Sequence, residues 1–229
     1  PTPTPTPTPK VEEVRVGLVL PLTGGLSSTG QGVKNGHDFA VEEINAAGGI
    51  KSLGGARITT FYGDSRGDPS VGARETERLI TLQKVSVMCG PFQSAVAMSA
   101  VPIAEKHKIP WVNYIASSDA LTEQGYKWFF RAGSANSMQS FTTAKVLKNA
   151  IDQGTEIKTL AYLFENSEMG TNFVAMFEND MKTLNLKFDL VEKIPYSWQA
   201  TDVTSEVARL KAANPDLIFG ASYIMDGIL

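Results

Sequence analysis

Cysteine and histidine are nearly absent from this chain. A single cysteine, Cys89, excludes an intramolecular disulfide, and two histidines, His37 and His107, are too few for a His/Cys zinc site. No apolar run approaches the ~18 residues that span a bilayer, and the first residues lack the basic and apolar regions of a signal peptide. Charge of one sign is not in excess either. With 21 Lys/Arg against 24 Asp/Glu the net charge is −3, so the basic face of a nucleic-acid binder is missing and no nucleic acid is expected as partner. What is plentiful is core material. Hydrophobic residues fill 42% of 229 positions, enough to fold without a staple, and at about 150 residues per domain the length suits one to two domains.

Proline gathers at one end, as PTPTPTPTPK over residues 1–10. Alternating Pro and Thr forms neither helix nor central strand, so the tract is expected to be extended and partly stiff. It reads either as a tail left by processing or as a linker that holds a folded domain off a surface. In the second reading a lipid anchor lies upstream of Pro1.

Beyond Lys10 two periodicities alternate. Val14–Leu20 is a short apolar run, the mark of a strand buried on both faces. A Gly/Ser/Thr loop, PLTGGLSSTGQG, follows; then Val33, His37, Ala40, Ile44 and Ala47 line one helical face, ended by Gly48–Gly49. Arg57–Tyr62 reads as a strand, and Asp68–Pro69 as an N-cap with proline at the first helical position. Further strands are expected at Val85–Cys89, Trp111–Ile115, Trp128–Ala132, Lys158–Phe164, Phe188–Ile194 and Asp216–Gly220. Helices are expected between them, among them Ser94–Lys106, Asn136–Gln153 and about Asp202–Ala213. Such alternation predicts α/β architecture with mostly parallel sheets and right-handed crossovers. Two α/β sets meet near residues 116–140, which divides the chain into an N-terminal lobe at 11–132 and a second lobe at 133–229. The second lobe ends one strand beyond its third unit and is expected to be incomplete.

Catalytic motifs do not fit. Gly30, Gly32 and Gly36 give GxGxxxG, one residue too long for the dinucleotide fingerprint, and no P-loop Lys follows. There is no GxSxG elbow, and neither histidine has triad partners around it. His37 and His107 read as structural, and Cys89 as a small buried hydrophobe. The acid pairs Glu42/Glu43, Glu165/Glu168 and Glu178/Asp180 read as solvated charges. The chain is therefore not expected to be an enzyme, and no cofactor or metal is expected.

Two polar loops stand out at strand ends. GPFQS, Gly90 to Ser94, opens a helix, and Ala116, Ser117 and Ser118 follow the next strand. In a parallel sheet the C-terminal strand ends share one edge, where ligands bind. Free N–H groups at a helix start, joined by hydroxyls, suit a carboxylate. Serine caps helices too, and capping is compatible with ligand contact.

These loops, with PLTGGLSSTGQGVKNGHDFAVEEINAAGG, GDSRGDPSVGARETERLI, GPFQSAVAMSAVPIAEKHKIPWV, ASSDALT and FRAGSANSMQS, closely resemble the periplasmic binding proteins of branched-chain amino-acid type. The resemblance implies two Rossmann-like lobes joined by a hinge, a type I periplasmic binding protein fold. It implies a periplasmic or extracellular receptor that passes a small-molecule ligand, an amino acid or small carboxylate, to an ABC transporter permease; a ligand-sensing domain of a signalling receptor is the alternative on the same fold. It implies that Ser94, beside Gln93, holds a carboxylate. The Ala116–Ser117–Ser118 loop then offers a carbonyl to an ammonium and a hydroxyl and amide to the carboxylate. Thr29 approaches from the first helix, and Met169 and Tyr223 face the ligand from the second lobe. Met169 stands where an aromatic is common, Asp119 where proline is, and the ammonium's acidic partner is expected beyond Leu229.

Overall fold

The VRVGLVL run forms β1 (Glu13–Leu20), whose last five residues are buried because helices cover both faces of a parallel sheet. In this computed structural model, which describes residues 11–224 and 226–228, β1 is an interior strand of a five-stranded sheet. The Pro/Thr tract lies outside the described residues. Around β1 come β2 (Arg57–Asp64), β3 (Val87–Cys89), β4 (Trp111–Asn113) and β5 (Phe129–Arg131), in the order β2-β1-β3-β4-β5, with every pairing parallel. The crossovers carry α1 (Ser27–Ala46), α2 (Pro69–Thr81), α3 (Ser94–His107) and a single turn, α4 (Ala120–Glu123).

A second parallel sheet, β7-β6-β8, is built from β6 (Thr159–Glu165), β7 (Asp189–Tyr196) and β8 (Leu217–Ala221). Its helices are α5 (Asn136–Asp152), α6 (Glu168–Thr183) and α7 (Thr204–Ala213). Each sheet has its own core. Trp111, Met88 and Leu79 are fully buried in the first, and Phe177 stacks on Phe219 at 3.9 Å between ring centroids in the second.

Helix α1 begins earlier than its apolar periodicity suggests. Residues 27–32, expected in a loop, are already helical. The reason is contact: Gly30 lies so close to the Pro21 carbonyl that any side chain there would collide with it, so tertiary packing overrides the low helix propensity of a glycine-rich stretch. Strands β3 and β4 are shorter than expected: β3 begins two residues later, and β4 stops at Asn113, which frees the segment after it to form a loop at the C-terminal rim.

The acid pairs depart most from expectation. Glu42 and Glu43 are exposed, but Glu165 is fully buried. Its Oε2 accepts from the Ser167 N–H at 2.7 Å and its Oε1 from the Gly170 N–H at 2.6 Å, so it caps α6 from the end of β6. Gly170 is required there, since an added Cβ would meet the Glu165 carbonyl. Asp180 likewise accepts from the buried Ser140 hydroxyl at 2.5 Å, and Glu178 pairs with Lys193 at 2.7 Å. His37 lies half-buried against Thr60, and His107 meets Glu77 at 3.0 Å.

Candidate functional site

Both sheets bring their C-terminal strand ends to one region, and a cleft of about 340 Å³ opens between them. From the first lobe Ser94 and Ser117 line it, with Phe92 and Ile115 beside them; from the second come Met169, Phe173 and Tyr223. Ser94 opens α3, and the residue before it, Gln93, makes no side-chain capping bond. At two other helix starts a carboxylate takes a first-turn N–H. Asp68 Oδ1 accepts from the Val71 N–H at 2.8 Å on α2, and Glu165 serves α6. The positive end of α3 thus faces the cleft without a carboxylate of the protein on it, a setting that attracts an anion.

Among the residues expected at the site, Ser94, Ser117, Met169 and Tyr223 are brought together on the cleft wall. The Ser118 N–H donates to Ser94 Oγ at 3.1 Å, which joins the two polar loops and leaves the Ser94 proton for another acceptor. Ser118 itself is fully buried, and its hydroxyl donates to Glu168 Oε1 at 2.7 Å across the lobes. Gln93 and Ala116 are buried behind the wall, and Thr29, on the first turn of α1, is not among the lining residues. The Ala116 carbonyl, assigned by the resemblance to an ammonium, accepts from Asn113 Nδ2 at 2.7 Å and from Arg131 Nη1 at 2.8 Å.

Three participants escaped the sequence reading. Arg131 spans the serine loop, with Nη2 also donating to the Ser118 carbonyl at 2.5 Å. Its signal was an arginine closing the FFR strand. Asn136, 1% exposed at the start of α5, donates its N–H to the Ser117 carbonyl at 2.7 Å and its Nδ2 to the Met169 carbonyl at 3.1 Å. It therefore ties the serine loop to the opposite wall. Trp198, after β7, reaches back to the first lobe: a Cβ on Gly67 would lie 2.7 Å from its ring, and one on Gly25 3.8 Å away. Gly67 has φ +74, so glycine serves both the turn and the approach of the indole.

Aromatic contacts complete the junction. Tyr223 meets Phe92 at 5.5 Å and Trp198 edge-on at 6.4 Å between centroids. Burial above all, with the nearby Glu165 charge, pushes its hydroxyl above the ordinary tyrosine range, so it is a neutral hydrogen-bonding group at physiological pH. Among the described residues that line the cleft, none pairs a nucleophile with a base. The arrangement can grip and enclose a small anion with an apolar body.

Comparison with known proteins agrees with this geometry. The sequence profile of the family described as periplasmic binding protein matches residues 13–229. The chain is 28% identical over 221 residues to Leu/Ile/Val-binding protein homolog 8 of Brucella abortus, covering 95% of this chain and 53% of the relative. It is 29% identical to homolog 7 of the same organism, with 95% and 54% covered. Among solved structures it superposes on the branched-chain amino-acid transporter substrate-binding protein LivJ of Streptococcus pneumoniae, in complex with isoleucine. The TM-score is 0.78 at 26% identity, over 92% of this chain and 57% of that one. It also superposes on an ABC-transporter solute-binding protein of Rhodopseudomonas palustris in complex with 3,4-dihydroxybenzoic acid. There the TM-score is 0.77 at 25% identity, over 94% and 56%. The chain spans about half the length of the relatives it matches. With two parallel α/β lobes, polar loops at facing strand ends and a profile match across nearly all its described residues, the chain belongs to the periplasmic binding protein family.

Proposed function

We propose that this protein is an extracytoplasmic solute receptor of an ABC importer that binds an amino acid or related small carboxylate between its lobes. The observation that carries the reading is the uncapped start of α3 at the cleft, with Ser94 on it and Ser117 beside it, facing Met169 and Tyr223 on the other lobe. Ser94 and the first-turn N–H groups of α3 bind the carboxylate, and Phe92, Phe173 and Met169 cover the apolar body. Contacts to both lobes favour the closed arrangement, and closure presents the loaded receptor to a permease. The relatives' ligands, isoleucine in one and 3,4-dihydroxybenzoate in the other, share a carboxylate and differ in the rest.

Native mass spectrometry of the purified protein, followed by calorimetric titration with amino acids and aromatic acids, tests this. A bound or titratable small acid whose affinity falls in Ser94→Ala supports the reading. Absence of heat across both ligand series, with the protein folded by circular dichroism, overturns it.

A further inference from the structure

We infer that Trp198 is the latch of the cleft, a positioning residue off the ligand-facing wall that sets how tightly any ligand is held by holding the two lobes together. This rests on the receptor reading above and adds to it the side chain that governs closure. The starting point is a seat on the first lobe. Asp64, which ends β2, accepts the Leu22 N–H at 2.9 Å, the Thr23 N–H at 3.2 Å, the Thr23 hydroxyl at 2.5 Å and the Arg66 N–H at 2.9 Å. One carboxylate thereby ties the loop after β1 to the turn after β2. Gly25 lies on that loop and Gly67 on that turn, and the Trp198 ring from the second lobe rests against both.

The place of this seat in the sheet decides what it can do. Among the described residues the chain crosses between the lobes once, after β5, where Asn136 holds the serine loop and the Met169 backbone. Strand β2 is at the other edge of the β2-β1-β3-β4-β5 sheet, four strand spacings and about 19 Å away. Trp198 likewise follows β7, an edge strand of its own sheet. When two bodies turn about a crossover, the points farthest from it move most. Opening therefore pulls Trp198 off its seat, whereas the Asn136 contacts beside the crossover move little. Ser94 and Ser117, on the strand ends between, line the space that is enclosed.

Opposed terms act at this contact. The indole meets Tyr223 edge-on and Tyr223 meets Phe92, so an aromatic run joins the lobes and favours closure. Against it, Gln93 Oε1, which faces the Gly67 turn, and the Tyr223 hydroxyl are buried with no hydrogen-bond partner. Opening lets water reach them, which favours release. Such a balance suits a receptor that must both hold and let go. Because Trp198 is not among the residues lining the cleft, its contribution is the same for every ligand.

The experiment reads lobe separation and affinity on the full chain. Spin labels are placed at Arg74→Cys and Ser205→Cys in a Cys89→Ala background; both positions are exposed, on α2 and α7, the helices that follow β2 and β7. Pulsed electron resonance is expected to show longer separations in Trp198→Ala, with Trp198→Phe between it and the natural residue. An unchanged distance distribution in Trp198→Ala overturns the inference; if that variant fails to fold by circular dichroism, Trp198→Phe decides in the same way. L-Leucine, 4-methylpentanoate and benzoate are then titrated by calorimetry. Each acid that binds is expected to lose affinity in Trp198→Ala by one common factor, about 5- to 150-fold, the ordinary range of coupling between sites. Unchanged affinity, or factors that differ more than tenfold among the acids, overturns the latch and leaves the receptor reading standing. If none of the three binds the natural protein, the receptor reading is what fails, and the label distances alone decide the latch.

Discussion

Ser118 Oγ donates to Glu168 Oε1 at 2.7 Å, a bond that joins the serine loop of the first lobe to the start of α6 in the second. Its neighbour Ser94 has no such partner for its proton and lines the cleft. The two serines therefore separate on mutation. Ser94→Ala is expected to weaken carboxylate binding by about 1.5–3 kcal/mol, the size of a hydrogen bond to a charged group. Ser118→Ala is expected to change ligand affinity by less than ~1 kcal/mol and to lower thermal stability instead, because it leaves a carboxylate without its donor. Calorimetry and melting curves on both variants check the pair; the reverse order of affinities would show that Ser118 leaves Glu168 for the ligand.

Trp198 reports the junction of the lobes. Its ring lies where a Gly67 side chain would go, and Gly67 has φ +74, so Gly67→Ala is expected to cost ~1 kcal/mol or more and to displace the indole. Trp198 emission should change on ligand addition in the natural protein, and Trp198→Phe should abolish that part of the signal. An unchanged spectrum at saturating ligand would mean that the junction does not respond to occupancy.

Acid sensitivity is expected at Asp64. Burial works to raise its pKa, but the Thr23 hydroxyl and the N–H groups of Arg66, Leu22 and Thr23 outweigh burial and hold it below the ordinary aspartate value. A lowered folded-state pKa stabilises the protein above the unfolded value of about 4, and that stability is lost as the pH falls through the folded pKa. Melting temperatures of the natural protein should therefore drop more steeply below about pH 4 than those of Asp64→Asn. Parallel curves would remove Asp64 as a contributor.

Cys89 should be inert. Burial pushes its thiol up to about 11, so almost no thiolate exists at pH 8. Ellman's reagent is expected to label the native protein far more slowly than the protein unfolded in urea. Equal rates would contradict the burial.

Much of this was legible in the residues. Val14–Leu20 declared a buried parallel strand, Asp68–Pro69 marked a helix start, and GPFQS placed Ser94 on the first turn of α3 at a strand end. Periodicity shows such features because they are local. Four features stayed hidden because they depend on what the chain meets after folding. The helical Ser27–Gly32 needs Pro21 beside Gly30, and Glu165 is buried only because α6 brings its N–H groups to it. Ser118 turns from the cleft because Glu168 arrives from 50 residues away. The engaged carbonyls of Ala116 and Ser118 are hidden for the same reason, since Arg131 reaches them from another strand.

Asn136 has the widest consequence. Its N–H is fixed to the serine loop and its amide to the backbone that carries Met169, so one inflexible residue is shared by both jaws at the point where the chain passes from one to the other. A molecule seated against that loop cannot shift it without pulling on α5 and α6 together. In the receptor proposed above, cargo is thereby converted into relative orientation, a signal that machinery touching only the outer surface can read without ever contacting what is carried.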